Sequence, residues 1–218
     1  MAITGSYYYS AKGEKMIKRI IASILTVCAF SGQYDTVKIT PKISYMYVYH
    51  KGKAVKVHRI QNTKHKLTGE YAKQYRPNSN IQPIKIDKDI QTIGEIELLY
   101  FMGDKVNEKQ GIVIDVRSKS NYKKESIPSA INIPAHIKDD RVKMRKILKI
   151  LGIKTSDKGR VNTSRAMDIV VYSHGLWCNK ASEFIKVLIS MGYPKEKIFY
   201  YRGGFQMWKI LGFTTVIN

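Results

Sequence analysis

The sequence predicts an α/β domain with a mostly parallel central sheet flanked by helices, preceded by a small β-hairpin extension. Three observations carry that prediction. Short continuous apolar runs at 111–115, 168–172 and 197–201 read as buried parallel strands, the first ending in the charged pair Asp115 and Arg117. The segments between them place apolar residues near helical period, and strands alternating with helices imply a parallel sheet. Ahead of these, residues 36–60 alternate in the β manner around a His50-Lys51-Gly52-Lys53 turn.

The elements follow in chain order. Lys18 and Arg19, an apolar stretch over 20–30 and the small residues Ala29, Ser31 and Gly32 have the layout of a secretory signal peptide. The expectation is therefore an exported, periplasmic protein with a leader over 1–31 and no stable membrane span after processing. A buried N-terminal helix is one alternative. A lipid anchor on Cys28 is another, although Val27 is large for the position before such a cysteine. An extension over 32–91 follows. Its hairpin places Val37, Ile39, Tyr45, Tyr47 and Tyr49 on one parity, with the tyrosines read as one packed face. Residues 61–91 are polar, carry Pro77 and Pro83, and read as a loop-rich connector. The main domain spans 92–218. It opens on a capping box at Thr92 to Glu95 and a short helix with Ile96, Leu99 and Tyr100. A basic amphipathic helix is expected over 137–150, with Ile137, Met144, Ile147, Leu148 and Leu151 recurring. After the 168–172 strand comes a turn, then a helix facing inward through Ala181, Phe184, Ile185, Leu188 and Met191. Gly203-Gly204 leads into a last helix through Trp208.

The chain has 218 residues, enough for one ordinary domain and an extension. A hydrophobic fraction of 44% excludes wholesale disorder. Lys and Arg total 38 against 17 acidic residues, a net charge of +21. The lysines are spread along the chain without a dense basic stripe, so no specific nucleic-acid partner is expected. The surplus reads as a solvated surface that also draws in small anions. The cysteines are Cys28 and Cys178, and no CxxC pair is present. The histidines His50, His58, His65, His136 and His174 do not fall at HExxH spacing. Neither a metal nor a cofactor is predicted.

Sites in open α/β sheets lie at the carboxyl ends of strands. Two such ends stand out: Asp115-Val116-Arg117, and the run Ser173-His174-Gly175-Leu176-Trp177-Cys178-Asn179-Lys180. A loop curling from strand end into a helix N-terminus turns backbone N–H groups inward and forms an anion cradle. Cys178 beside that helix start is the candidate nucleophile, because the thiolate is stabilised there and its pKa is expected to fall. Ser173, His174, Gly175, Leu176, Trp177, Asn179 and Lys180 are the candidate substrate-binding residues. Plainer readings stand beside these. Cys178 can serve as a small buried hydrophobe, His174 as a turn residue with its ring in solvent, and Trp177 as a loop anchor or pocket wall. Asp115 and Arg117 read as loop braces.

Four segments, in order over about 92–217, resemble the rhodanese family: Ile114-Asp115-Val116-Arg117; Tyr122 to Pro134 (YKKESIPSAINIP), similar to "HIPGAxNIP"; Asp168 to Lys180; and Tyr201 to Trp208 with Gly212, similar to "GGxxxW…G". The resemblance implies a three-layer rhodanese-like fold. It also implies a sulfurtransferase, in which Cys178 carries a sulfane sulfur as a persulfide from a small anionic donor such as thiosulfate to a thiol or protein acceptor. In most members the nucleophile directly follows the strand, where this chain has Ser173. Exported relatives with loops like "CNGPWCxKS" carry cysteines at both places, and this chain keeps the second. Lys180 and Ala181 stand where the usual loop has Arg or Ser. The region Tyr71 to Pro83 resembles an extension of the same exported subgroup, with Asn78, Ser79 and Asn80 where some members have cysteines. The rival expectation is an inactive module of this fold that binds a partner or a small anion. A cysteine phosphatase is disfavoured, because the residue six beyond Cys178 is Phe184 and not a clamping Arg.

Overall fold

The three apolar runs form the middle of one five-stranded sheet. A computed structural model describes residues 38–40, 42–62, 69, 81–155 and 161–218. The expected leader, Cys28 and the 71–80 stretch lie outside the described residues. The described residues belong to the unit Thr36–Asn218.

A hairpin comes first, β1 (Tyr45–His50) and β2 (Lys53–His58), paired antiparallel with His50 opposite Lys53. Its two-residue turn needs positive φ at both positions; Lys51 has φ 48° and Gly52 φ 75°. The main sheet contains β3 (Gln91–Ile93), β4 (Gly111–Asp115), β5 (Ala130–Asn132), β8 (Asp168–Tyr172) and β9 (Ile198–Tyr201). Its order is β3-β9-β8-β4-β5, and all four pairings are parallel. A small pair, β6 (Lys154–Thr155) and β7 (Val161–Asn162), stands apart. The helices are α1 (Glu95–Phe101), continued by a π-helical turn Met102–Val106, α2 (Lys119–Lys124), α3 (Arg141–Ile150), α4 (Lys180–Ser190) and α5 (Gly204–Ile210).

Strand alternation divides the core into two layers. Ile114, Ile169, Val171 and Ile198 meet Met144 and Leu148 of α3 and Phe184, Ile185 and Leu188 of α4. Val113, Val170, Tyr172 and Tyr201 meet Leu98 and Leu99 of α1, Phe205 and Trp208 of α5, and Val48 and Val57 of the hairpin. The result is helices, sheet, then helices with the hairpin, the three-layer arrangement expected. Among the described residues no helix is long and apolar enough to cross a membrane.

Four details differ from the sequence expectation. The tyrosine parity of the hairpin faces outward: Tyr47 and Tyr49 are exposed, while Val48, His50 and Val57 are buried. Tyr45 instead packs edge-on against Tyr47 and lies under Lys56. The hydrophobic layer accepts the smaller, branched residues, and the phenols keep their hydroxyls in water. Helix α1 is capped at Gly94 rather than Thr92. The Gly94 N–H donates to Glu97 Oε2 at 3.0 Å, and Thr92 is taken into β3, its hydroxyl bonded to the Ile84 carbonyl. The 137–150 helix is split: a 3-10 turn covers Ala135–Asp139, and Asp140 then caps α3 through the Lys143 N–H at 3.0 Å. The edge strands β3 and β5 have three residues each, too short to show a period in the sequence.

The outward tyrosine face has a measurable consequence. Val48→Ala should lower unfolding free energy by about 2 kcal/mol, whereas Tyr49→Ser should change it by less than about 0.5 kcal/mol. Urea denaturation followed by tryptophan fluorescence reads both. Equal losses would reverse the assignment of faces.

Candidate functional site

The carboxyl ends of β4 and β8 lie side by side, with Asp115 opposite Tyr172 in the register. Each strand end delivers one half of the site.

From β8, Ser173–Asn179 turns into α4. Ser173 and His174 are buried, and Cys178 is a half-buried free thiol. Ser173 Oγ lies 3.0 Å from Cys178 Sγ, and His174 Nδ1 lies 3.6 Å from it. The Ser173 Oγ to His174 Nδ1 distance is 3.4 Å, so the three groups form a closed cluster. The Cys178 N–H is turned back to the Gly175 carbonyl at 3.0 Å, a tight turn that takes one N–H out of the expected cradle. Trp177 is buried beside Gly175. The Leu176 carbonyl accepts from the Gln82 N–H at 2.7 Å. Asn179 is exposed and its amide is held on Glu183; Lys180 is exposed on the first turn of α4. The structure thus gathers Ser173, His174 and Cys178 into one cluster and leaves the side chains of Asn179 and Lys180 at the surface.

Helix α5 holds this loop in place. Its Phe205 and Gln206 N–H groups donate to the carbonyls of Ser173 (2.9 Å) and His174 (2.7 Å). Gly204 sits at φ 61°, and a Cβ there would come within 2.6 Å of the Ser173 carbonyl oxygen. The Gly-Gly pair of the sequence is therefore the point where one chain segment passes against another.

From β4, Asp115 and Arg117 form a fully buried pair. Arg117 Nη2 lies 2.6 Å from Asp115 Oδ2, and Nε lies 3.0 Å from both carboxylate oxygens. Arg117 Nη2 also donates to the Glu125 carbonyl at 2.6 Å, and the Tyr172 hydroxyl donates to Asp115 Oδ2 at 2.8 Å. Burial pushes the Tyr172 phenol well above its usual range, so it stays a neutral donor. The pair is thereby bonded both to its own loop, at Arg117 and Glu125, and to β8 through Tyr172. It reaches the Cys178 loop through Phe205, whose ring lies 3.9 Å below the guanidinium.

Three contributors were not legible in the sequence. Asn121 of α2 places Nδ2 2.8 Å from His174 Nε2. Ser118 caps that helix, its hydroxyl accepting from the Asn121 N–H, a signal the sequence reading did not use. Gln82, from the connector, is tied to Leu176, to Ser182 (3.4 Å) and to Arg202, whose Nε and Nη2 donate to its carbonyl at 3.0 and 2.7 Å. Tyr200 lies buried beside the loop; burial pushes its phenol up to about 12, opposed by Arg202 and reinforced by Cys178. An open groove of about 760 Å³ runs alongside, lined by Ile84, Lys88, Glu95, Leu176, Arg202 and Met207 among others; Cys178 is not one of its lining residues. Among the described residues no cluster of three or more His, Cys, Asp or Glu side chains could hold a metal ion.

Residues 101–211, from α1 to the end of α5, match the family model of the rhodanese-like domain. The chain belongs to the rhodanese-like domain family. Similar solved structures include a rhodanese-related protein from Thermoplasma volcanium, 22% identical over 59% of this chain and 99% of that one, TM-score 0.39. A protein from Bacillus halodurans is 22% identical over 55% of this chain and 72% of its own, TM-score 0.41. A rhodanese from E. coli, solved with anions, is 22% identical over 50% of this chain and 99% of its own, TM-score 0.33. Among curated proteins none matches this rhodanese-like chain.

The buried ion pair gives a sharp expectation. Arg117→Leu strands a carboxylate in the interior and should cost about 3–5 kcal/mol in urea unfolding. Adding Asp115→Asn to that variant should return part of the loss. A double variant no more stable than the single one would refute this reading.

Proposed function

We propose that the protein is a sulfurtransferase in which Cys178 carries a sulfane sulfur. The observation that supports it is the cluster of Ser173 Oγ and His174 Nδ1 at 3.0 and 3.6 Å from the Cys178 sulfur. Hydrogen-bond donors held around a sulfur favour its anionic form, which is both the nucleophile and the charged product of the first step. The Cys178 thiolate attacks the outer sulfur of thiosulfate or a related donor. An S–S bond forms to Cys178 as the donor's S–S bond breaks, and sulfite leaves with that electron pair. The resulting persulfide anion stays within reach of the same donors. A thiolate or cyanide then attacks the terminal sulfur, the Cys178 S–S bond breaks, and the thiolate returns. No net oxidant or reductant is needed. Exposed Lys180 and the general positive charge assist the approach of the anion. Export to the periplasm is part of this proposal.

A second reading has an observation of its own. Ser173 occupies the position directly after β8, so the chain also fits an inactive module that binds a partner or a small anion.

Intact mass separates the two. Thiosulfate should add about 32 Da to the protein, one sulfur on the nucleophile. Cyanide should remove it, Cys178→Ser should abolish it, and Ser173→Ala should retain the gain at a reduced rate. An unchanged mass under all conditions would favour the binding module.

A further inference from the structure

We propose that Asn121 is a positioning residue for Cys178 and acts through His174. Its amide NH2 donates to Nε2, keeps the neutral ring protonated on Nδ1, and so aims an N–H at the sulfur. This deepens the sulfur-carrier reading and rests on it only for which sulfur anion, thiolate or persulfide, is served.

Asn121 Nδ2 lies 2.8 Å from His174 Nε2. An amide nitrogen donates and cannot accept, so Nε2 must present its lone pair. A neutral imidazole carries one ring proton, which leaves it on Nδ1. Nδ1 is the atom 3.6 Å from Cys178 Sγ and 3.4 Å from Ser173 Oγ. A donor at that place pairs with a sulfur anion better than with an S–H, which brings a proton of its own. A carboxylate at position 121 would do the opposite: it would accept from Nε2–H and favour either the other tautomer or the imidazolium.

The amide is held by a built scaffold. The Asn121 N–H donates to the Ser118 hydroxyl that caps α2 at 3.3 Å, and its carbonyl accepts from the Glu125 N–H at 3.1 Å. Glu125 in turn offers its carbonyl to Arg117 at 2.6 Å. Helix α2 therefore begins and ends on the buried Asp115–Arg117 pair, and the amide inherits that fixed position. His174 is 7% exposed, so the ring is shielded from water that would compete for Nε2.

The test reads the tautomer directly. Long-range proton–nitrogen correlation on the full chain labelled with nitrogen-15, above the ring's titration range, should show His174 with Nδ1 protonated and Nε2 bare. The signal is assigned by its loss in His174→Gln. In Asn121→Leu and in Asn121→Asp the pattern should move toward protonated Nε2. In Asn121→Leu the rate of Cys178 labelling by iodoacetamide should also fall roughly tenfold, the worth of one charge-assisted hydrogen bond. A wild-type ring already protonated on Nε2 overturns the proposal, and that measurement needs no variant to fold. An unchanged tautomer in Asn121→Leu, or a changed tautomer with unchanged labelling, also overturns it. Neither readout uses a sulfur donor, so failure of sulfur transfer and failure of this proposal are told apart.

Discussion

The Asp115–Arg117 pair is the constraint on which the arrangement of the site depends. Two opposite charges lie fully buried at the end of a central strand. Desolvation of such a pair is expensive unless every lone pair and proton finds a partner. Here the Tyr172 hydroxyl, the Arg117 backbone N–H and the Glu125 carbonyl supply those partners. Asn132 spans the Asp115 and Arg117 carbonyls from the neighbouring strand. Because these partners come from the 117–125 loop, β8 and β5, satisfying the pair also fixes those segments. The 117–125 loop closes, α2 is set in place, and Phe205 of α5 is drawn beneath the guanidinium.

From that pair, two routes lead to the sulfur. One passes through α2 and Asn121 to the far nitrogen of His174. The other passes through Phe205, whose N–H holds the Ser173 carbonyl, with Gly204 allowing the close approach. Residues of the 173–178 loop are thus gripped from both sides of the strand end. A nucleophile on a loop gains from such grip, because groups already aimed at a developing charge need no reorganisation when it appears. The connector adds a third hold through Gln82, a role that its reading as a loop-rich segment did not anticipate.

Legibility in the sequence followed from burial. Central strands β4, β8 and β9 were readable because both of their faces are covered, which demands continuous apolar runs. Edges β3 and β5 were not, since three residues carry no period. The hairpin and its turn were readable from alternation and Lys51-Gly52, but which face is inward was not. Alternation marks two faces and does not say which one meets the core, and here Val48 and Val57 take that place rather than Tyr47 and Tyr49. The cap of α1 moved to Gly94 because β9 claims Thr92 as a strand partner, a competition invisible to local rules.

By itself the sequence determined the class of fold, the family and the identity of the candidate nucleophile, because these rest on local pattern and short-range motif order. Only the tertiary structure decided how Cys178 is surrounded. Ser173 and His174 are its neighbours in sequence, but their aim at the sulfur depends on Asn121, 53 residues before His174, and on the carbonyl grip of α5. Hydrogen bonds have direction and a reach of about 3 Å. Contacts of that range between distant residues exist only once the sheet has brought two strand ends together.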